Sequence, residues 1–546
     1  MRLFLILALA LPLLSQEVSQ SGLRLKAERP MVAQPERAPK AMAATVHPLA
    51  TDAAISILKK GGNAVDAAVA VAFVLGVVHP EAGNLGGSGY LMARMAGGQT
   101  LVFDYGGDAP AAANPKMFSS RAEQQVGYRS VAVPGTPAGM GLAHSKFGRL
   151  KWAEVLEPAR RIAREGFPAS QRMELILKLQ VPVMKDFPET AKIFLHGSDQ
   201  PLKQGELVVQ RDLADTIRRL QKNGWKEFYQ GETARRIAAD MKERGGYITL
   251  EDLARYEARA SEPLKISYRG FPVLLTPPSS TGGTTVALQL RVLDRFPMKL
   301  GMEGSAEVRH LQIEAMRLGS RVRRAMIAGA APAQILSDSA VEEAVRTISL
   351  TQAGRLEAPP EPSNESAHTT HFTIADAEGN VVTNTYTLSG FYGSQVIAKG
   401  TGVLLNNHMS AFSASSLKPR VRYSSTMTPA ILLRKDGSLW AAFGTPGAAT
   451  IPSTLVQIVM NLVDFRMSLR DAVEFPRLHF GGERTGVAAE PAALVFDVAE
   501  KLRAMGHVLN PALRSQGDVN AVLVEEDTGW KQGWADGRRG GAVRGY

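Results

Sequence analysis

A short hairpin in the last third of the chain constrains the fold more than any other segment. Residues 371–376 and 381–388 are rich in β-branched and aromatic residues and flank a Gly379-Asn380 turn, which is typical of two antiparallel strands. The doublet Thr369-Thr370 begins the hairpin, and residues 351–368, which are rich in Pro, Glu and Ser and lack periodicity, precede it. A hydroxyl at the start of a strand, directly after a cleavable segment, indicates a nucleophile that becomes a new N-terminus.

Cleavage between His368 and Thr369 would equip Thr369 for catalysis, because it would then carry both a nucleophilic Oγ and a free α-amine as its base. An α-amine has a pKa of ~7.7–8, which suits it to accept a hydroxyl proton near neutral pH. The expected route is attack by Thr369 Oγ on the His368 carbonyl, an N-to-O acyl shift and hydrolysis of the ester. The alternative is that Thr369 is only a β-branched residue that suits a strand.

The composition is that of an ordinary globular protein, with 546 residues of which 45% are hydrophobic and 21% charged. The absence of cysteine excludes a disulfide framework, a thiolate zinc site and a cysteine nucleophile. The net charge of +11 is spread along the chain without runs of basic and aromatic residues, so it predicts a solvated basic surface and no nucleic-acid site. The ten histidines have no spacing typical of a metal site, so neither a metal nor an organic cofactor is expected.

The N-terminus has the shape of a secretory signal. Residues 3–14 form an apolar run after Arg2, and this run is too short to span a bilayer. We therefore expect a signal peptide over residues 1–16, a protein that is periplasmic or secreted, and no stable membrane span.

Helical and strand patterns are largely segregated along the chain. Helical patterns cover residues 52–60 and 64–77, most of residues 140–350, and residues 454–463. Further strand patterns cover residues 90–94, 100–105 and 430–443. This segregation predicts an α+β fold in which two packed sheets are covered by helices.

Further motifs rich in Gly, Pro, Asn and hydroxyl residues occupy residues 61–70, 79–90, 132–139, 277–283, 404–409, 424–429 and 444–447. Together with the hairpin, and in the same order, they resemble the γ-glutamyltransferase (γ-glutamyltranspeptidase, glutathione hydrolase) family of N-terminal-nucleophile hydrolases over roughly residues 40 to 546. The resemblance implies a four-layer αββα sandwich. It also implies a heterodimer of a large subunit, residues 17–368, and a small subunit, residues 369–546, interleaved in one domain.

The activity implied by the resemblance is cleavage of γ-glutamyl amides such as glutathione through an acyl-enzyme, with transfer of the acyl group to water, an amino acid or a peptide. Thr387 matches the threonine that orients the amine of the nucleophile, although Thr387 and Ser389 could equally be hydroxyl residues that only face the strand. Gly447 and Ala448 match the two backbone amides of the oxyanion hole, where family members commonly have Gly-Gly. Because each donor is a backbone N–H, the methyl group of Ala448 need not remove it.

The resemblance also implies the residues that hold the substrate. Ser389 matches a position that contacts the substrate, and Ser425 and Thr426 match a hydroxyl pair that holds its carboxylate. His408 stands where family members have Gln or Glu between the paired asparagines and an acidic residue.

Two departures from the family concern recognition of the glutamyl group. Gly106 stands at the position of the arginine that binds the α-carboxylate, and Ala411 at that of the acidic residue that binds the α-amine. Burying a zwitterionic head without these partners is unfavourable. The two departures at Gly106 and Ala411 therefore favour an alternative function. The protein would be an acylase that acts on another acyl amide, as the related cephalosporin acylases do. A hypothesis from another class is a non-catalytic binding protein with the same fold and Thr369 unprocessed.

Overall fold

The computed structural model describes residues 33–355 and 368–546, except residues 198, 483, 513 and 514. The signal peptide expected over residues 1–16 and residues 356–367 of the cleavable segment lie outside the described residues. In the described ranges, no helix is both long enough and apolar enough to cross a bilayer.

The strands, numbered along the chain, are β1 (Glu36–Ala38), β2 (Met42–Thr45), β3 (Ser88–Arg94), β4 (Thr100–Tyr105), β5 (Phe167–Pro168), β6 (Leu195–His196), β7 (Gln200–Pro201), β8 (Leu207–Val208), β9 (Arg259–Ser261), β10 (Leu264–Tyr268) and β11 (Phe271–Leu275). The later strands are β12 (His368–Ala375), β13 (Val381–Ser389), β14 (Ala430–Leu433), β15 (Leu439–Phe443), β16 (Leu478–Phe480), β17 (Val487–Ala489), β18 (Leu509–Pro511), β19 (Asn520–Val524), β20 (Lys531–Ala535) and β21 (Ala542–Gly545).

The α-helices are α1 (Pro48–Lys59), α2 (Ala64–Val78), α3 (Thr136–Phe147), α4 (Trp152–Glu165), α5 (Gln171–Met184), α6 (Pro188–Phe194), α7 (Arg211–Asn223), α8 (Glu227–Gln230), α9 (Glu232–Glu243), α10 (Leu250–Ala254), α11 (Thr281–Leu293), α12 (Ala306–Ile327), α13 (Pro332–Ile335), α14 (Asp338–Arg346), α15 (Thr450–Val463), α16 (Leu469–Glu474) and α17 (Phe496–Ala504). Short 3₁₀ turns span Ala122–Gln124, Tyr128–Ser130 and His408–Ala411.

Two seven-stranded antiparallel sheets form the centre of the molecule. The first has the order β21-β2-β12-β13-β3-β4-β9 and the second the order β1-β20-β19-β15-β14-β11-β10. Helices α1, α2 and α3 pack on the first sheet, the two sheets pack on each other, and α11 packs on the second sheet with α15 against it. The layers are therefore helix, sheet, sheet and helix, which confirms the expected α+β sandwich.

The alternation of side chains along β12 explains how this strand joins two layers. Phe372 and Ile374 belong to the apolar core that includes α1 and α2. The next residues along the strand point the opposite way, since successive side chains alternate between the faces of a sheet. His371 and Thr373 accordingly contact the second sheet, where Thr373 Oγ1 donates to the carbonyl of Asn520 at 2.9 Å. Thr369 shares this face of the strand.

Helix α2 is tied directly to the hairpin. Its N-terminus is closed by a capping box between Asn63 and Asp66, and the amide of Ala64 donates to Asp376 Oδ2 at 2.8 Å. The helix is apolar on nearly all sides and almost completely buried. A helix of that kind belongs inside a large protein, and here it supports the face of β12 and β13 that is turned away from the second sheet.

The expected hairpin is confirmed, and its strands extend slightly further than the sequence pattern, over His368–Ala375 and Val381–Ser389. The expectation of mostly helix over residues 140–350 missed β10 and β11, which form the edge of the second sheet. They are joined by Arg269-Gly270 with φ angles of 52° and 82°. Positive φ at both central residues is typical of a tight hairpin turn, but arginine is not a usual first residue of such a turn, so the sequence did not signal it.

Candidate active site

Thr369 lies at the start of β12, buried to 4% exposure and paired with Thr387 on β13. The register of the two strands shifts between His368 and Thr369. Thr387 Oγ1 donates to the carbonyl oxygen of His368 at 2.7 Å. That carbonyl belongs to the peptide bond that links His368 to Thr369, so the hydroxyl of Thr387 polarises the bond that the sequence predicts to be cut.

Two neighbours fix this arrangement. The amide of Ser389 donates to Thr387 Oγ1 at 2.8 Å, which leaves the hydroxyl proton of Thr387 for the His368 carbonyl. The imidazole of His368 stacks on Phe391, with an angle of 24° between the ring planes. Both sides of the 368–369 bond are therefore held, one by a strand and the other by an aromatic contact.

Thr369 borders a cavity that opens to solvent, and the empty space of this cavity and its mouth together is about 290 Å³. The cavity is lined by Thr369, Thr387, Ser389, His408, Ala411, Tyr423, Ser425, Thr426, Met427, Ala448 and Ile451. The structure thus brings together seven of the residues expected from the sequence: Thr369, Thr387, Ser389, His408, Ser425, Thr426 and Ala448. Gly447 lies next to this lining, whereas His368 and Gly106 are not part of it. Among the described residues that line the cavity there is no Asp, Glu, Lys or Arg.

The Gly447-Ala448 loop is held through its carbonyl groups. Thr450 donates to the carbonyl of Gly447 through its amide, at 3.1 Å, and its Oγ1, at 3.0 Å. The carbonyl of Ala448 accepts from Thr426 Oγ1 at 2.9 Å. In the described part of the chain neither amide N–H of this loop has a hydrogen-bond acceptor. The two donors are therefore available to a developing negative charge.

The backbone of this loop is unusual for a residue with a side chain. Ala448 has a φ of 53°, in the left-handed region, and Gly447 has a φ of 142°. A non-glycine residue pays about 1–2 kcal/mol for the left-handed region. The loop conformation is maintained here in spite of the extra β-carbon.

Ser425 and Ser389 supply hydroxyl groups on opposite segments of the lining. Ser425 Oγ accepts from the amide of Met427 at 3.0 Å, so its own proton is available to a ligand. Ser389, with a φ of 78°, places its Oγ 3.5 Å from Ser410 Oγ. These hydroxyls can bind a polar acyl group without neutralising a charge.

His408 is fully buried at one side of the cavity. Its ring stacks on Tyr423 with centroids 4.6 Å apart, and its Nε2 lies 3.3 Å from Ser88 Oγ. Burial lowers the pKa of His408 to about 3, so the ring is neutral near pH 7. Its Nδ1 has no hydrogen-bond partner in the described part of the chain. His408 thus contributes shape and one free nitrogen, and no charge.

Arg422 is a residue that the sequence analysis missed. Its Nε donates to Asp108 Oδ1 at 2.7 Å, and its guanidinium also lies 3.2 Å from Asp104 Oδ1. A β-carbon at Gly106 would come within 2.8 Å of Arg422 Cδ and 2.9 Å of its Cγ. The arginine side chain therefore occupies the space next to Gly106, but its charge is satisfied by two aspartates. No spacing in the sequence connects residues this far apart.

Three comparisons with known proteins show which family the chain belongs to. A family model described as Gamma-glutamyltranspeptidase matches residues 50–546. The chain is 35% identical over 477 residues to the glutathione hydrolase proenzyme of Escherichia coli K12, covering 82% of each chain. It is 34% identical over 515 residues to the acylase ACY 1 proenzyme of Pseudomonas sp. V22, covering 90% of this chain and 91% of that one.

The solved structure of the cephalosporin acylase from Bacillus halodurans is similar over 95% of this chain and 98% of its own, with a TM-score of 0.85 and 29% sequence identity. Its fold and the glutathione hydrolase relatives both match the resemblance read from the motifs. The chain belongs to the gamma-glutamyltranspeptidase family of enzymes.

Proposed function

We propose that this protein is a self-processing amidohydrolase and acyltransferase whose nucleophile is Thr369, freed as the N-terminus of a small subunit. The observation that carries the proposal is the hydrogen bond from Thr387 to the carbonyl of His368, 2.7 Å long and beside the buried Thr369. The Gly447-Ala448 loop, with two unused amides, borders the same cavity.

Maturation follows from this contact. Thr369 Oγ attacks the carbonyl carbon of His368, while the hydroxyl of Thr387 stabilises the negative charge on the carbonyl oxygen. The C–N bond breaks as the amide nitrogen of Thr369 takes a proton, which leaves an ester between His368 and Thr369 Oγ. Water hydrolyses that ester, and the products are a carboxylate on His368 and a free α-amine on Thr369.

The mature site then performs acyl transfer. The α-amine of Thr369 accepts the Oγ proton as Oγ attacks the carbonyl of an acyl amide. The amides of Gly447 and Ala448 stabilise the oxyanion, and the amine leaving group departs with the proton. The acyl group remains as an ester on Thr369 until water, an amino acid or a peptide takes it.

Family membership and the lining of the cavity favour different acyl donors. Family membership supports γ-glutamyl amides such as glutathione. A second candidate, an acylase acting on donors without a free α-amino acid head, is favoured by the lining of the cavity. Ala411 replaces the ammonium partner, and Arg422, the cation nearest to Gly106, is already paired with Asp104 and Asp108. A zwitterionic head would therefore lose its hydration without gaining ionic partners.

The remaining parts of the proposal concern the precursor. Residues 1–16 serve as a signal peptide, and the mature protein acts in the periplasm or outside the cell, as a heterodimer of residues 17–368 and 369–546. No cofactor takes part in the proposed chemistry.

Intact mass measurement of the purified protein tests the proposal. We expect two fragments, the smaller beginning at Thr369, and hydrolysis of acyl p-nitroanilides. A protein that stays a single chain, or is cut elsewhere, contradicts the mechanism and favours a non-catalytic binding protein. Comparison of the rates at which γ-glutamyl- and glutaryl-p-nitroanilide are hydrolysed then decides between the two candidate classes of acyl donor.

A further inference from the structure

Away from the cavity, three side chains of metal-binding type meet in the interior. His310 and Glu314 lie on α12, and His507 lies just after α17. One ligand atom of each lies within 4.8 Å of the others, and the three residues are between 1% and 7% exposed. Residues i and i+4 of a helix share a face, so both α12 residues approach His507 from the same side.

The hydrogen bonds of His310 define which nitrogen faces the cluster. Its Nε2 lies 2.7 Å from the carbonyl oxygen of Ser349, which can only accept, so Nε2 carries the proton. Its Nδ1 then carries a lone pair and lies 2.7 Å from His507 Nε2. A histidine whose second nitrogen donates to a backbone carbonyl is the usual arrangement of a metal ligand.

Glu314 is also held in place. Its Oε1 accepts from the amide of Gly354 at 3.0 Å, and its Oε2 from Arg317 Nε at 2.8 Å. Oε1 retains a further lone pair for a metal ion, whereas Oε2 also lies 2.7 Å from Arg317 Nη2. The guanidinium of Arg317 repels a nearby cation, so it should weaken the binding of an ion at this place.

We propose that His310, Glu314 and His507 form a binding site for a divalent transition-metal ion, with Zn²⁺ as the best-suited ion. Two imidazoles and one carboxylate are ligands that zinc favours, and water can complete a tetrahedral shell. With Zn–N bonds of ~2.0–2.1 Å the two ring nitrogens must lie about 3.3 Å apart. The present 2.7 Å contact is a hydrogen bond, so zinc takes the place of the proton on His507 Nε2, and His507 binds as its Nδ1–H tautomer.

The location of this site indicates what it does. Residues 310 and 314 precede the 368–369 bond and residue 507 follows it. The segment that ends the large subunit passes the same place, since the amide of Ala353 donates to the carbonyl of Met505 at 2.7 Å. A bound ion would therefore connect the two subunits. The sequence could not indicate this, because His310 and His507 are 197 residues apart.

Titration of chelator-treated protein with Zn²⁺ tests the proposal, using isothermal titration calorimetry and the visible spectrum of the Co²⁺ form. We expect one ion per heterodimer, tetrahedral Co²⁺ bands and a rise in Tm of about 2–5 °C with excess Zn²⁺. His507→Gln and Glu314→Gln should abolish or weaken saturable binding at least tenfold. His196→Gln, which removes an exposed histidine paired with Glu206 at 2.7 Å, is the matched control and should bind like the wild type.

The Thr369→Ala precursor contains all three ligands, so it should bind zinc even if the proposed function is wrong. Absence of saturable binding by the wild type overturns the site, as does unchanged binding by His507→Gln and Glu314→Gln. If those variants fail to fold, X-ray absorption spectroscopy of the zinc-loaded wild type tests the proposal by identifying the zinc ligands. Two imidazole nitrogens in the zinc shell support the site, and their absence refutes it.

Discussion

The two ends of the cavity are built in different ways. At the catalytic end, the expected groups are hydroxyls of paired strands and amides of a loop: Thr369, Thr387 and the Gly447-Ala448 segment. At the proposed recognition end, Ala411 lines the cavity, and the resemblance implies that Ala411 and Gly106, which lies outside the lining with Arg422 beside it, stand in place of charged partners. The resemblance thus implies that positions dependent on backbone geometry are retained and that positions dependent on single charged side chains have changed.

The difference has a physical reason. The proposed oxyanion donors are main-chain N–H groups, so the fold fixes their positions, and the amide of Ala448 is present whatever the side chain of this residue. A carboxylate clamp depends on one side chain, and a single substitution removes it. Acyl-transfer chemistry can therefore be maintained while the accepted acyl group changes.

The largest effect is expected at Thr369. Thr369→Val removes the nucleophile, so it should remain a single chain and lose all measurable activity. Thr370→Val is the matched control, since Thr370 Oγ1 is buried without a hydrogen-bond partner in the described part of the chain. Mass spectrometry should show normal cleavage of the control. Cleavage of the Thr369→Val chain would contradict the assignment of the nucleophile. A Thr370→Val chain that stays uncleaved while the Thr369 variant is cut would contradict it as well.

A large change in specificity is expected when charge is returned to the recognition end. Gly106→Arg alone would collide with Arg422, so it is combined with Arg422→Ala, which removes the collision. With Ala411→Asp added, kcat/KM for γ-glutamyl-p-nitroanilide should rise about 10- to 100-fold, because a hydrogen bond to a charged group contributes ~1.5–3 kcal/mol.

The control for this triple variant is Arg422→Ala alone, with Tm followed for both, because two aspartates then lack their partner. Hydrolysis of glutaryl-p-nitroanilide should not rise in either protein. A wild type that already prefers the γ-glutamyl donor by a large factor would show that Gly106 and Ala411 do not mark the recognition end.

A smaller effect is expected from loosening the oxyanion loop. Thr426→Val removes the hydrogen bond to the carbonyl of Ala448, which is 2.9 Å long, and keeps the side-chain volume. With a net contribution of ~0.5–1.5 kcal/mol for such a bond, kcat should fall about 3- to 10-fold. Thr426→Ser retains the hydroxyl and should stay close to the wild type. Equal losses in both variants would instead point to the methyl group.

The smallest effect is expected at Ala448 itself. Glycine suits a φ of 53° without strain but gives the unfolded chain more freedom, so the two contributions partly cancel. Ala448→Gly should change the free energy of unfolding by no more than about 1 kcal/mol and leave kcat within a few-fold. A loss of activity beyond tenfold would mean that the methyl group, and not only the backbone, shapes the catalytic end.

Local patterns were sufficient for the elements that build the catalytic end. The β12–β13 hairpin, α2 and the β14–β15 hairpin follow from periodicity and turn residues, and the motifs indicated their arrangement. Arg422 and the His310–His507 contact were missed, because each joins residues that only the tertiary fold brings together. The short strands β10 and β11 were missed because helical patterns surround them and their turn begins with an arginine.

The order of strands in the first sheet has a consequence for the processed protein. Strands β2, β3, β4 and β9 precede the 368–369 bond, β12 contains this bond at its start, and β13 and β21 follow it, yet strands from both sides of the bond are interleaved within one sheet. Before cleavage, refolding is a unimolecular reaction of one chain. After cleavage, two separate polypeptides must meet and interdigitate, so refolding becomes second order and slows on dilution. The lifetime of the mature enzyme would then depend on its unfolding rate, and denaturation at low concentration would be effectively irreversible.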